Sequence, residues 1–538
     1  MTIPFTVPHH HPVWQRLQAH ADRLALRSTL DLFADTPERF NLLSRQSGTL
    51  LADFSKQRWD TAALADLLNL AQACSLPAGI EALFAGKTVN FTEKRAALHM
   101  ALRGSCPAPA GYSPDDHAWC RFAAALRAGQ VQGVNGTPIR RIINLGIGGS
   151  DLGPRMVCEA LAPHTSQTIN VRFVANVDPH ELNEALADAE PASTLFIISS
   201  KSFTTAETLT NAASARQWLY QGLGEHSILT PHFAAITNAT EAAAAFGIAA
   251  ERIFPIPEWV GGRYSVWSAI GLPVLAAIGE DAFDAFLSGA RVMDIHFRTC
   301  PLTDNLPVLM GLAGLWNSSF LKRDTLAVLP YAYGLRSFPA WLQQLEMESN
   351  GKHTLRDGST AATMTAPIVW GGVGTVGQHA FHQLFYQGTH SVPLDFIVPV
   401  GDGGDARQQA LVDNAFAQAA ALMQGRSLGQ SHTLLTRKGF STAEADRLAP
   451  HLVCTGNQPS TTLLIPRLDP FHLGQLLALY EHKVFVQGWI WGINSFDQYG
   501  VELGKDMGRA LAAGLLTDQD SSTTGLIAAA DRLRNTAP

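Results

Sequence analysis

Cysteine is scarce in this sequence. The six thiols (Cys74, Cys106, Cys120, Cys158, Cys300 and Cys454) are scattered over 538 residues and form no C-x-x-C pair. That excludes a disulfide scaffold and reads as the reduced thiols of a cytoplasmic protein. A basic excess is lacking too. Lys and Arg number 39 against 46 Asp and Glu, for a net charge of −7 and a pI of about 6.2. A dedicated nucleic-acid binder carries a basic face, so no nucleic-acid partner is expected, although a local cationic pocket for a small anion remains open. The opening MTIPFTVPHHHPVW has no basic segment followed by an apolar one, so no signal peptide is expected. The longest apolar stretch, residues 473–496, carries Glu481, His482 and Lys483 in its middle. Such charges are costly in lipid, so the stretch predicts a buried core helix and no membrane partner. There is no fixed-period repeat and no long low-complexity segment.

What is present suits a large globular chain. Hydrophobic residues make up 46% and charged residues 16%, which calls for much buried surface and more than one core. The first ~115 residues read mainly as helices by their 3–4 residue apolar spacing. The three histidines at 9–11 read as a mobile tail. A Pro/Gly cluster at 106–116 marks a boundary. Short apolar runs then alternate with helix-length segments, first over 142–256 and again from Asp324 through DTLAVLPYAY, PIVWGG, PLDFIVPV and TTLLIPRL. That pattern predicts α/β architecture, with parallel sheets covered on both faces. The expected division is a helical region at 1–115, α/β/α domains at 116–285 and 286–505, and a helical tail at 506–538.

Six segments could carry chemistry. LGIGGSDLG at 145–153 follows an apolar run, and its glycines let backbone N–H groups approach an anion. It fails as a dinucleotide fingerprint, because Asp151 stands where the third glycine belongs. SSKSFTTAET at 199–208 gathers hydroxyls and Lys201 at the end of a strand and the start of a helix. One helix cap needs one hydroxyl, and the surplus points to phosphate. It is not a Walker loop. In VGGRYS at 260–265, Arg263 beside two glycines could face developing negative charge, or could be a solvated turn residue.

QQLEMESNG at 343–351 reads as a helix with Pro339 in its first turn. Glu346 and Glu348 are two apart and point to different sides, which argues against a glycosidase dyad and leaves room for a lone general base. GQHAFH at 377–382 places His379 and His382 on one helical face, with His390 further on. No third ligand at zinc spacing accompanies them, so no metal is expected. FDQYGVELGK at 496–505 could carry Gln498 and Lys505 from the end of the long apolar helix to a pocket, or could be a polar terminus.

Taken in this order, LGIGGSDLGP, SKSFTTAET, GGRYSVWSAIG, MESNGK, GQHAF and FDQYGVELGK closely resemble the hallmark segments of the glucose-6-phosphate isomerase family. The resemblance covers most of the chain, about 116–505. It implies two sugar-isomerase (SIS) α/β domains with additional helices, a homodimer, and no cofactor. The activity it implies is reversible conversion of glucose 6-phosphate into fructose 6-phosphate through a cis-enediol(ate). Ser200, Lys201, Ser202 and Thr205 would bind the phosphate, with Gly149 and Ser150 at the neighbouring turn. Glu348 would be the base moving the proton between C2 and C1, and Arg263 would stabilise the intermediate. His379 would reach the site from the partner subunit and assist ring opening. Lys505 would sit near the ring oxygen, with Gln344 and Gln498 as further contacts.

Some positions depart from the family pattern. The usual W-G-E-P-G-T-N-G is here WGGVGTVG at 370–377, which puts the rigidity of that loop in question. His390 stands where Lys is common, Tyr499 replaces a usual Trp, and Ala206 a usual polar residue. Two other readings are weaker. A non-catalytic phosphosugar-binding module would have no need of Glu348, Arg263 and His379, and a nicotinamide dehydrogenase would need the missing glycine fingerprint.

Overall fold

The computed structural model describes residues 6–112, 118–401, 403–515 and 519–536. The boundary expected at 115/116 lies outside these residues. Two compact units emerge, Met1–Phe496 and Asp497–Pro538.

The first unit holds two sheets. A hairpin, β1 (Ser44–Ser47) and β2 (Leu50–Asp53), comes first in the chain. Five strands follow: β3 (Arg141–Gly146), β4 (Asn170–Val174), β5 (Thr194–Ser199), β6 (Phe233–Ile236) and β7 (Ile253–Phe254). They form a wholly parallel sheet in the order β4-β3-β5-β6-β7. Every residue of β5 and β6 is buried, because helices cover both faces and leave no solvent side for polar alternation. The second series supplies β8 (Thr325–Pro330), β9 (Ile368–Gly371), β10 (Leu394–Pro399) and β11 (Ser460–Ile465). Their sheet runs β1-β2-β11-β10-β8-β9, with β8 to β11 parallel and β2 antiparallel to β11.

The N-terminal region is therefore not all helical, since it lends two strands to the second sheet. Ser44–Ser47 is SRQS and shows no apolar alternation, so periodicity could not find it. The two-residue connection starts at Gly48, whose φ of +56° suits a tight hairpin. The histidine run is ordered as well: Pro8–His10 forms a 3₁₀ turn that leads into the helix Pro12–Ala25.

The long apolar stretch forms the helix Pro470–Trp491, in which every residue except Phe471 is buried. It lies against the helix Glu280–Thr299, and Gly289 and Gly474 allow the backbones to touch; a Cβ on either would strike the carbonyl of Phe471 or Phe286. Each of its central charges has a partner. Glu481 accepts from Arg103 Nη1 and Trp267 Nε1, both at 2.7 Å. His482 Nε2 meets Asp294 at 2.6 Å, and Lys483 donates to Glu346 at 2.7 Å. Burial alone would raise the Asp294 carboxyl, but Arg103 and His482 outweigh it and hold the group well below the usual carboxylate range. Among the described residues, no single helix is long and apolar enough to cross a membrane.

The second unit contains a turn at Tyr499–Val501 and the helices Glu502–Ala512 and Ser521–Thr536.

Candidate active site

In the first sheet the chain leaves β3 for β4 on one side and returns to pair β5 on the other. The carboxyl ends of β3 and β5 therefore flank a switch point, where open α/β sheets place their ligand crevice. The two loops singled out from the sequence both start there. Asn144, inside β3, ties them together: its side chain accepts from Ser199 Oγ at 2.7 Å and donates to the Ser150 carbonyl at 2.9 Å.

The loop after β5 is rich in hydroxyls that serve one another. Ser200 and Thr205 are 3.0 Å apart through their hydroxyls, and Ser202 and Thr204 are 2.6 Å apart. Thr205 occupies the N-cap of the 18-residue helix Ala206–Leu223, yet its side chain makes no capping bond. The first N–H groups of that helix thus remain available to an anion. Lys201 Nζ is 3.3 Å from the Val260 carbonyl and 3.4 Å from that of Glu258. Burial, together with the Arg95 charge, lowers its pKa from the ordinary lysine value.

Lys201 thus touches the segment that carries Arg263. Gly149 packs directly on the backbone of Gly262 and Arg263, leaving no room for a side chain, and Ser265 Oγ donates to the Gly262 carbonyl at 2.6 Å. Arg263 is 4% exposed and anchored from several sides. Its Nε donates to Ser349 Oγ at 2.6 Å, Nη2 to the Ser495 carbonyl at 2.7 Å, and Nη1 to Glu348 Oε1 at 3.1 Å.

Glu348 ends a π-helical turn, Gln344–Glu348, that follows the helix Phe338–Gln343. Such turns are rare and concentrate at functional sites. The two glutamates separate as their spacing predicts. Glu346 is fully buried on Lys483 and Asn350, whereas the Glu348 side chain is 23% exposed. The other Glu348 oxygen accepts from Gln344 Nε2 at 2.8 Å. Gln344 Oε1 is buried and takes no hydrogen bond from any described residue, and Gly148 approaches the same side chain closely. A carboxylate oriented by a cation and an amide thus faces a loop built to receive an anion.

A family model for phosphoglucose isomerase matches residues 53–527. The chain belongs to the phosphoglucose isomerase family. A glucose-6-phosphate isomerase of Aromatoleum aromaticum is 63% identical over 100% of this chain and 99% of its own length. Glucose-6-phosphate isomerase 4 of Rhodococcus jostii is 46% identical over 96% of this chain and 95% of its own. The crystal structure of a glucose-6-phosphate isomerase from Chlamydia trachomatis superposes with a TM-score of 0.84 at 30% identity, covering 98% of this chain and all of that one.

Three residues expected from the phosphoglucose isomerase motifs lie apart from this cluster or in the second unit. His379 follows the short helix Gly374–Gln378 and is exposed; among the described residues, no hydrogen bond or ion pair joins it to Glu348 or Arg263. The altered loop before it is partly helical, with Gly374 and Gly377 buried and Gln378 Nε2 donating to Tyr331 Oη at 3.0 Å. His382 faces away, toward Gln418 Oε1 at 3.2 Å, and burial lowers its pKa. Gln498 and Lys505 belong to the second unit, and the long helix stops before them at Gly492. Lys505 lies on the separate helix Glu502–Ala512, exposed and paired with Glu502 at 2.9 Å.

Sequence reasoning passed over Asn144 and Ser349. A lone Asn inside the apolar run IINLG was a usable signal for the first. Ser349 stood in plain view inside MESNGK, but nothing in its spacing tied it to Arg263.

Proposed function

We propose that the chain carries out its family's reaction in the crevice at the carboxyl ends of β3 and β5. That reaction is the reversible isomerisation of D-glucose 6-phosphate and D-fructose 6-phosphate, a step of glycolysis and gluconeogenesis. The observation that carries the assignment is Glu348, held on one oxygen by Arg263 and on the other by Gln344.

Moving a carbonyl from C1 to C2 requires a proton to leave a carbon beside a carbonyl. Glu348 is the base that takes it from one carbon and returns it to the other. Arg263 stabilises the charge on the oxygen of the cis-enediol(ate), as a fixed cation in a dry site does most effectively. Ser200, Lys201, Ser202 and Thr205 receive the phosphate, with Gly149 and Ser150 at the adjoining turn. Phosphate binding lies remote from the chemistry and so fixes the reacting carbons. Gln344 offers its buried Oε1 to a substrate hydroxyl. His379 of a partner subunit and Lys505 assist ring opening, with Gln498 as a further contact. This chemistry calls for no cofactor. The reading includes a cytoplasmic homodimer, with α/β domains at 116–285 and 286–505 flanked by helical 1–115 and 506–538.

The test is Glu348→Gln in a coupled assay for fructose 6-phosphate. A positioned general base contributes about 100- to 10,000-fold, so turnover should fall by that much in a variant with unchanged circular dichroism. Near-normal turnover would remove Glu348 from the role of base.

A further inference from the structure

The residue after Glu348 has no part in the chemistry above, yet it touches the cation that does. Ser349 is fully buried, and Arg263 is 4% exposed. The serine hydroxyl accepts from Arg263 Nε at 2.6 Å and lies 3.0 Å from Tyr264 Oη. Tyr264 is 1% exposed, and burial pushes its phenol up to about 12, so it stays protonated. No water can replace the hydroxyl in such a place without rearrangement, and a buried donor left unpaired costs more than an ordinary hydrogen bond gains.

The geometry matters because a guanidinium is planar and turns as one piece about its Cδ–Nε bond. Fixing the direction of Nε–H and of one terminal nitrogen fixes where the other points. Ser349 takes Nε–H and the Ser495 carbonyl takes Nη2, which leaves Nη1 aimed at Glu348 at 3.1 Å. The second anchor traces back to the same helix. Ser495 Oγ donates to Asn350 Oδ1 at 2.7 Å, and Asn350 Nδ2 donates to Glu346 at 3.2 Å and to the Val484 carbonyl at 3.0 Å. Ser349 and Asn350 thus brace the cation on the buried helix Pro470–Trp491.

We propose that Ser349 is a positioning residue of the isomerisation, setting the plane of the Arg263 guanidinium so that Nη1 meets Glu348 and the reacting oxygen. The inference rests on the assignment of Arg263 as the group that stabilises the intermediate. Its effect belongs on turnover, because the phosphate is held by a different loop.

The test is a double-mutant cycle of Ser349→Ala and Arg263→Ala, with kcat and KM measured for glucose 6-phosphate. Ser349→Ala should lower kcat about 10- to 100-fold, the cost of a small misplacement of a catalytic group, with KM changed less than about threefold. In the Arg263→Ala background the same substitution should cost less than about twofold, because it acts only through the arginine. An unchanged kcat in Ser349→Ala, or an equal loss in both backgrounds, overturns the proposal while leaving Arg263 in its role. Wild-type turnover in Arg263→Ala overturns the role of the arginine and the proposal with it. If Ser349→Ala does not fold, Ser349→Cys keeps the shape and offers only a weak acceptor. A lower kcat at constant KM in that variant supports the proposal, and an unchanged kcat overturns it.

Discussion

In the first sheet β4 lies outside β3, and the chain comes back to place β5 on β3's other flank. In the second sheet β9, β8 and β10 repeat that arrangement, and β6 and β11 occupy matching fourth places. Both sheets therefore own a switch point, and each has a loop running from its third strand into a long helix. The loops differ in what they do with the helix start. After β5, Thr205 leaves the N-terminal N–H groups uncapped, beside Lys201 and a set of hydroxyls. After β10, Asp405 caps its own helix, Ala406–Gln424, through the Arg407 N–H at 2.8 Å, and the Arg407 side chain pairs with the same carboxylate. That pairing with Arg407 lowers the Asp405 pKa to about 2, so it is a fixed negative charge where the first sheet has a lysine. Identical topology thus yields two crevices, of which one is already filled by its own side chain. Fold places the candidate sites, and a few loop residues decide which of them can receive an anion.

The contrast can be broken most sharply at the two loops. Lys201→Ala should raise the KM for glucose 6-phosphate about 10- to 100-fold, the loss expected for a charge-assisted contact or two, with a smaller change in kcat. Asp405→Ser should leave both constants within about twofold if the second crevice takes no part in substrate binding. A comparable KM change in both variants would erase the distinction.

A milder probe uses pH. Burial and Arg95 lower the Lys201 pKa, so its positive charge is lost at a lower pH than that of a free lysine. Phosphate binding needs the charged form, so KM should climb as pH rises through the lowered value, while kcat holds. Lys201→Arg should flatten that climb; an unaltered pH profile would exclude Lys201 as its source.

The smallest effect is expected at the fifth place. The first sheet ends in the two-residue β7, whereas the second recruits the hairpin β1–β2 from far away in the chain. Gly48→Ala puts a side chain at φ +56°, which should cost about 1 kcal/mol. Thermal unfolding should register a lower midpoint with activity per folded molecule unchanged. A lost activity would mean that the hairpin reaches the crevice.

Much of this was legible before any coordinates. The apolar runs at 142–145, 171–175, 195–199, 233–237 and 252–256 became β3 to β7, because strands buried on both faces must be apolar throughout. β1 and β2 were not legible. Their partner is β11, some 400 residues later, and a polar SRQS segment owes its conformation to that pairing and not to its own pattern. The site divides in the same way. Lys201, Arg263 and Glu348 stand out through charge and local glycines, so spacing and motif reach them. Ser349 and Asn144 act through neighbours distant in the chain, and no local pattern reports a contact of that kind.

The π-turn at Gln344–Glu348 has a consequence for how this helix can change. A wider turn accommodates one residue more than an α-helix would over the same rise, so its register depends on length. Removing any single residue there would restore ordinary winding and swing all that follows by about 100°. Ser349 and Asn350 would leave the Arg263 side together, whatever their identity. The segment should therefore accept many substitutions at its exposed Met347 yet no deletion at all, which makes residue count a heritable constraint of this site alongside residue type.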